Sequence, residues 1–275
     1  MSFNYETPQG FDTASSACEG WTRQTVTYPS KTTGADRLCH VILPAGYSAE
    51  KTYPVLYLLH GIGGDHNEWL GGNPLEVVGN LAGKGEATEM IVVIPNVRAM
   101  KEDAVPKEIF RPECIAAFDN FINDLRDDLM PFIKANYSIK TGRENTAVAG
   151  LSMGGRESLF IGFSMPETFG YVGAFSPAPG LLPLSFPDTG DHPNRPAFPG
   201  QFTEDDLAIK DGAPAPILLM MCNGEQDEIV KFCTAGYEAA LNKNGVEHLY
   251  YTMPGGHDFG VWKNGLYHFA KQIFK

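Results

Sequence analysis

The chain has 275 residues, 43% of them hydrophobic and 20% charged, with a formal net charge of -12. That apolar share supplies a large core and argues against disorder, and α/β folds of this length commonly form one unit, so a single domain over residues 1–275 is expected. The acidic balance carries no run of lysine or arginine and would repel a polyanion, which argues against nucleic acid as a partner. No stretch reaches the roughly 18 consecutive apolar residues of a membrane span, so no membrane partner is expected.

The start, MSFNYETPQG, lacks the basic and then apolar profile of a signal peptide. Residues 21–43, WTRQTVTYPSKTTGADRLCHVIL, alternate polar and apolar on both sides of a glycine-containing turn, which predicts an N-terminal antiparallel hairpin. The runs PVLYLLHG (54–61), MIVVIPN (90–96), NTAVAGLS (145–152), YVGAFSP (171–177) and APILLMMCNG (215–224) are short and apolar on both faces, as buried parallel strands are. EHLYYTM (247–253) reads as a further strand. Helical patterns separate them at 75–85, 117–137, 157–165 and 228–245, and WKNGLYHFAKQIF (262–274) reads as a closing helix. Strands alternating with helices predict an α/β fold with a mostly parallel central sheet covered on both faces.

Two stretches break that rhythm. Residues 98–116 show no clear period. Residues 176–212 are so rich in proline that no regular element fits, and they read as an ordered insertion over the sheet, a lid or pocket wall. The five cysteines, Cys18, Cys39, Cys114, Cys222 and Cys233, have neither CxxC nor metal-like spacing. Cys222, inside ILLMMC, reads as a buried small hydrophobe; one disulfide is compatible with the sequence, which does not choose it.

GLSMGG (150–155) follows an apolar strand and precedes a helical pattern. GxSxG alone is a weak signal, but strand, sharp turn and helix together make a nucleophile elbow with Ser152 as nucleophile. A serine hydroxyl needs a base to take its proton and an acid to orient that base, and in this fold they follow in the order serine, acid, histidine. His192, His248, His257 and His268 come after Ser152. His257, in the loop PGGHDFGVW after the last strand, is the candidate base; His248 and His268 read as packing or solvent-facing residues, and His192 lies in the insertion. The acid comes from ILLMMCNGEQDE, with Asp227 preferred and Glu225 in reserve. Acyl transfer also needs two amide donors for the oxyanion: Met153, after the nucleophile, and Ile62 in the glycine-rich LLHGIGG. His60 precedes Ser152 and reads as a structural hydrogen-bonding residue beside that loop.

With HGIGG, GLSMGG and GGHDFGVW in this order, together with VVIPN and the closing WKNGL, the chain resembles the esterase D-like α/β-hydrolases, and among them the feruloyl esterases of carbohydrate esterase family 1. The resemblance runs from about residue 20 to the end and departs at 98–116 and 176–212. It implies an α/β-hydrolase fold and hydrolysis of the ester joining ferulic or p-coumaric acid to arabinose on plant arabinoxylan or its oligosaccharides. Ser152, His257 and Asp227 match the family's triad, Ile62 and Met153 its oxyanion donors, and Trp262 an aromatic near the acyl pocket. Trp262 could equally pack the core; Trp69, Phe186 and Phe198 are further aromatic candidates. The implied mechanism needs no metal or organic cofactor, and the family implies a secreted, extracellular protein. Acetylxylan esterase and S-formylglutathione hydrolase are the alternatives within the fold, along with acyl transfer to a sugar. A non-catalytic carbohydrate-binding module is the alternative outside catalysis. Oligomeric state is not readable.

Overall fold

The computed structural model describes residues 3–102, 104–184 and 199–275. Its centre is one eight-stranded sheet: β1 (Thr22–Ser30), β2 (Ala35–Leu43), β3 (Val55–Leu59), β4 (Ile91–Pro95), β5 (Thr146–Leu151), β6 (Tyr171–Phe175), β7 (Leu218–Gly224) and β8 (Leu249–Met253). The spatial order is β1-β2-β4-β3-β5-β6-β7-β8. β1 pairs antiparallel with β2, as the alternation of residues 21–43 predicts, and β2 pairs antiparallel with β4; every other pairing is parallel.

The doubly apolar strands feed two cores, one on each face. In β3, Val55, Tyr57 and Leu59 point into one, and Leu56 and Leu58 into the other; β4 divides Ile91 and Val93 from Val92 and Ile94 in the same way. Successive side chains of a strand face opposite ways, so such a run is stable only if both faces are covered. Each fully buried Val, Leu or Ile contributes about 1.5–3 kcal/mol.

Helices α1 (Pro74–Gly83) and α7 (Phe259–Ala270) cover one face. The other carries α2 (Pro112–Asp119), α3 (Phe121–Asp124), a π turn (Leu125–Leu129), α4 (Met130–Asn136), α5 (Met153–Ser164) and α6 (Lys231–Lys243). This is the α/β-hydrolase fold. Helix begins at Pro112, inside the stretch without clear period, because proline is suited to the first helical turn and Cys114, Ala117 and Phe118 supply the buried side. All five cysteines are buried and free. No helix among the described residues is long and apolar enough to cross a membrane.

Candidate active site

Three polar groups leave the sheet at the carboxyl ends of three strands. β5 ends at Leu151 and α5 starts at Met153, so Ser152 alone makes the turn. Its backbone, at φ 53° and ψ -119°, lies where side-chain-bearing residues rarely go, at a cost of about 1–3 kcal/mol. Neighbouring main chain holds it there. Ser152 N–H donates to the Phe175 carbonyl at 2.9 Å, and its own carbonyl accepts from Ala178 N–H and Arg156 N–H, each at 3.0 Å. A Cβ on Gly154 would stand 2.6 Å from the His60 carbonyl oxygen, and one on Gly150 2.5 Å from that of Gly154, so only glycine fits either place.

Asp227 follows β7 and His257 follows β8. Their loops are stitched together: Gln226 N–H donates to the Gly255 carbonyl at 2.9 Å, and Gly255 N–H to Gln226 Oε1 at 2.7 Å. His257 Nδ1 lies 2.8 Å from Asp227 Oδ2, and its Nε2 lies 3.0 Å from Ser152 Oγ. A carboxylate only accepts, so Nδ1 carries the proton and Nε2 offers its lone pair to the serine hydroxyl. The other Asp227 oxygen accepts from Ile229 N–H at 3.0 Å and Val230 N–H at 3.1 Å. Burial pushes the Asp227 carboxyl up, but the His257 hydrogen bond and charge and the two amides outweigh it, leaving the group below its ordinary value and ionised. Glu225, the reserve acid, is exposed to solvent.

The glycine-rich loop after β3 approaches from the other side. Its Gly61 carbonyl accepts from His60 Nδ1–H at 2.7 Å and from Gly64 N–H at 3.2 Å. In a trans peptide the N–H lies on the opposite edge, so the Ile62 N–H is turned away from both donors; it makes no backbone hydrogen bond among the described residues. Met153 N–H belongs to the first turn of α5, where amides have no partner within the helix, and the Ser152 side chain does not cap it. His60 is fully buried: its Nε2 accepts from Val97 N–H at 2.8 Å, and burial pushes its pKa down to about 4, so it is a neutral hydrogen-bonding group.

The remaining candidates separate cleanly. Trp262 is 7% exposed and stands edge to face against the His257 ring, centroids 5.0 Å apart; its Nε1–H has no partner among the described residues. Trp69 is wholly buried and donates Nε1–H to the Leu59 carbonyl at 2.8 Å, so it supports the site from below and offers no surface to a ligand. His248 and His268 bond the carbonyls of Val246 and Tyr5. His192, Phe186 and Phe198 lie outside the described residues. Sequence reasoning missed Glu68, whose Oε2 accepts from Gly61 N–H at 2.6 Å, and Arg98, whose Nη1 donates to the carbonyls of Gly64 and Ile62 at 3.1 and 3.5 Å. Neither belongs to a recognisable pattern; the only signal for Glu68 was a charge close in sequence to a glycine-rich loop, and Arg98, which follows β4, had none.

A hydroxyl, an imidazole and a carboxylate in one hydrogen-bonded line, at the carboxyl edge of a mostly parallel sheet and beside two amides without helical partners, can carry out acyl transfer. Fold and site together define an α/β-hydrolase. The family model described as "Putative esterase" matches residues 30–272, and the chain belongs to that esterase family. The CE1 ferulic acid esterase of the anaerobic fungus Anaeromyces mucronatus is 37% identical, with a TM-score of 0.88 over 99% of this chain and 98% of that one. The structure of that enzyme in complex with ferulic acid gives a TM-score of 0.89 over 100% of this chain and 98% of that one, at 37% identity. An endo-1,4-beta-xylanase/feruloyl esterase of Xylanibacter ruminicola is 36% identical over 161 residues, 56% of this chain, and the chain spans 21% of that relative's length.

Proposed function

We propose that the protein is a secreted serine esterase that hydrolyses feruloyl and p-coumaroyl esters of plant arabinoxylan or its oligosaccharides, acting as one α/β-hydrolase domain. The observation that carries this reading is the Ser152–His257–Asp227 line, at 3.0 and 2.8 Å, in a chain 37% identical over nearly its whole length to a ferulic acid esterase. In this reading His257 Nε2 takes the Ser152 proton as Oγ attacks the ester carbonyl. The Ile62 and Met153 amides receive the negative charge of the tetrahedral intermediate. His257 then protonates the departing sugar oxygen, and in a second half-reaction it activates the water that releases ferulate. Asp227 keeps the imidazole in the tautomer that can accept. No step requires a metal or organic cofactor. Trp262, packed beside His257, serves as the aromatic wall of the acyl site; a planar phenolic acyl group fits such a wall better than acetate does.

Release of ferulate from feruloylated arabino-oligosaccharides, measured beside acetylxylan and S-formylglutathione, tests the substrate. Faster turnover of either competitor would replace this reading with the corresponding one. Ser152→Ala is expected to fold as the wild type does, to lose at least about 10³-fold in turnover, and to escape labelling by a fluorophosphonate probe. A wild-type protein that does not label would leave the carbohydrate-binding alternative in its place.

A further inference from the structure

We propose that Glu68 is a positioning residue for the oxyanion site, a strut that sets the plane of the Gly61–Ile62 peptide. The inference rests on the reading of Ile62 N–H as an oxyanion donor.

Three groups grip Gly61 at its two ends. Glu68 Oε2 takes its N–H at 2.6 Å, while His60 Nδ1–H and Gly64 N–H take its carbonyl at 2.7 and 3.2 Å. With both ends of the residue fixed, the peptide to Ile62 has little freedom to rotate, and its N–H stays aimed without help from a ligand. Such preorganisation makes an oxyanion site effective, because nothing has to move as charge develops. The carboxylate is also packed into the loop. A Cβ on Gly64 would lie 2.5 Å from Glu68 Oε2, and one on Gly61 would lie 3.4 Å from that oxygen and 3.2 Å from Ser152 Cβ. Carboxylate, Gly61 and nucleophile are therefore successive layers with no space between them.

The strut has a rigid footing. Glu68 opens a short 3₁₀ turn, Glu68–Gly72, whose Trp69 donates Nε1–H to the Leu59 carbonyl at the end of β3. The far end of that turn receives Phe259, two residues beyond His257: a Cβ on Gly71 or Gly72 would meet its ring at 3.1 or 2.8 Å. Phe259 in turn packs edge to face on Trp69 and on Trp262. One turn thus braces the oxyanion loop against the element that carries the base. Burial raises the Glu68 pKa, with the Gly61 amide opposing it, as expected for a carboxyl used inside the structure.

The test uses methyl ferulate, which has no sugar for Glu68 to bind, and an arylboronic acid that forms a tetrahedral adduct on Ser152. Glu68→Ala is expected to lower kcat by about 10- to 100-fold with KM within about twofold, and to weaken boronate binding by a similar factor while ferulate inhibition is unchanged. Glu68→Gln keeps an acceptor at the same reach and should recover to within about threefold of wild type; Glu68→Asp keeps the charge but falls short of Gly61 and should behave as the alanine variant does. If Glu68→Ala does not fold, the contrast between Gln and Asp decides alone. A wild-type kcat in Glu68→Ala or Glu68→Asp, a change confined to KM, or a slow variant with unaltered boronate affinity overturns the proposal. Turnover retained by Ser152→Ala would instead overturn the reading of the site itself, and this inference with it.

Discussion

His60 and His257 carry the same side chain into opposite roles, and environment alone separates them. His257 sits between a carboxylate and a hydroxyl at the site's edge, whereas His60 is sealed under the glycine-rich loop with its pKa pushed down to about 4. The unfolded chain takes up that proton near pH 6.5 and the folded chain only near 4. Its contribution is therefore complete above 6.5 and is lost as pH falls through the folded value, a decline of up to about 3 kcal/mol. Urea unfolding between pH 7.5 and 4.5 should show this slope in the wild type, while His60→Gln, less stable at pH 7.5, should be flatter. An equal slope in both would assign it to other groups. Ser152, Asp227 and His257 were legible in the sequence because each closes an apolar strand in the required order. Glu68 was not, because its contact with Gly61 depends on how a loop and a turn fold back on each other.

Every element expected from hydrophobic period is present, and the differences lie at element ends and inside the long pattern before Tyr137. α6 starts at Lys231, after the residues that read as its beginning, because Ile229 and Val230 give their amides to the Asp227 carboxylate. The long helical pattern before Tyr137 contains a π turn at Leu125–Leu129, which hydrophobic period does not reveal. Elements also lock together through groups without period. Arg156 of α5 pairs with Glu157 and with Asp119 at the end of α2, and Gln201, on the returning insertion, donates to Asp119 at 3.1 Å and to Glu157 at 3.4 Å. One tight junction is β3 against α5. Gly154→Ala would normally favour helix, yet its Cβ would meet the carbonyl oxygens of Leu59 and His60, which are main chain and cannot swing aside. A loss of about 1–3 kcal/mol in thermal or urea unfolding is expected, with turnover reduced because the elbow shifts. Unchanged stability would mean that the two elements can separate at no cost.

For the molecule as a whole, covalent cross-links are not part of the design, since all five thiols are buried and stand free, Cys39 and Cys233 in one core and Cys18 and Cys222 in the other. Reductant should leave the melting temperature unchanged, and Ellman's reagent should find about five thiols after denaturation and almost none before; fewer thiols on unfolding under non-reducing conditions would point to a bridge. The amino-acid sequence by itself determined the α/β class, the hairpin, the nucleophile elbow and the order of the polar residues, because period, turn chemistry and strand-end position are local properties of a chain. Only the tertiary structure decided that β4 lies between β2 and β3, that Glu225 faces solvent while Asp227 meets the imidazole, and that Trp69 lies beneath the site. Those outcomes depend on which surfaces pack when distant segments meet, and packing is a property of pairs of segments that no single stretch encodes.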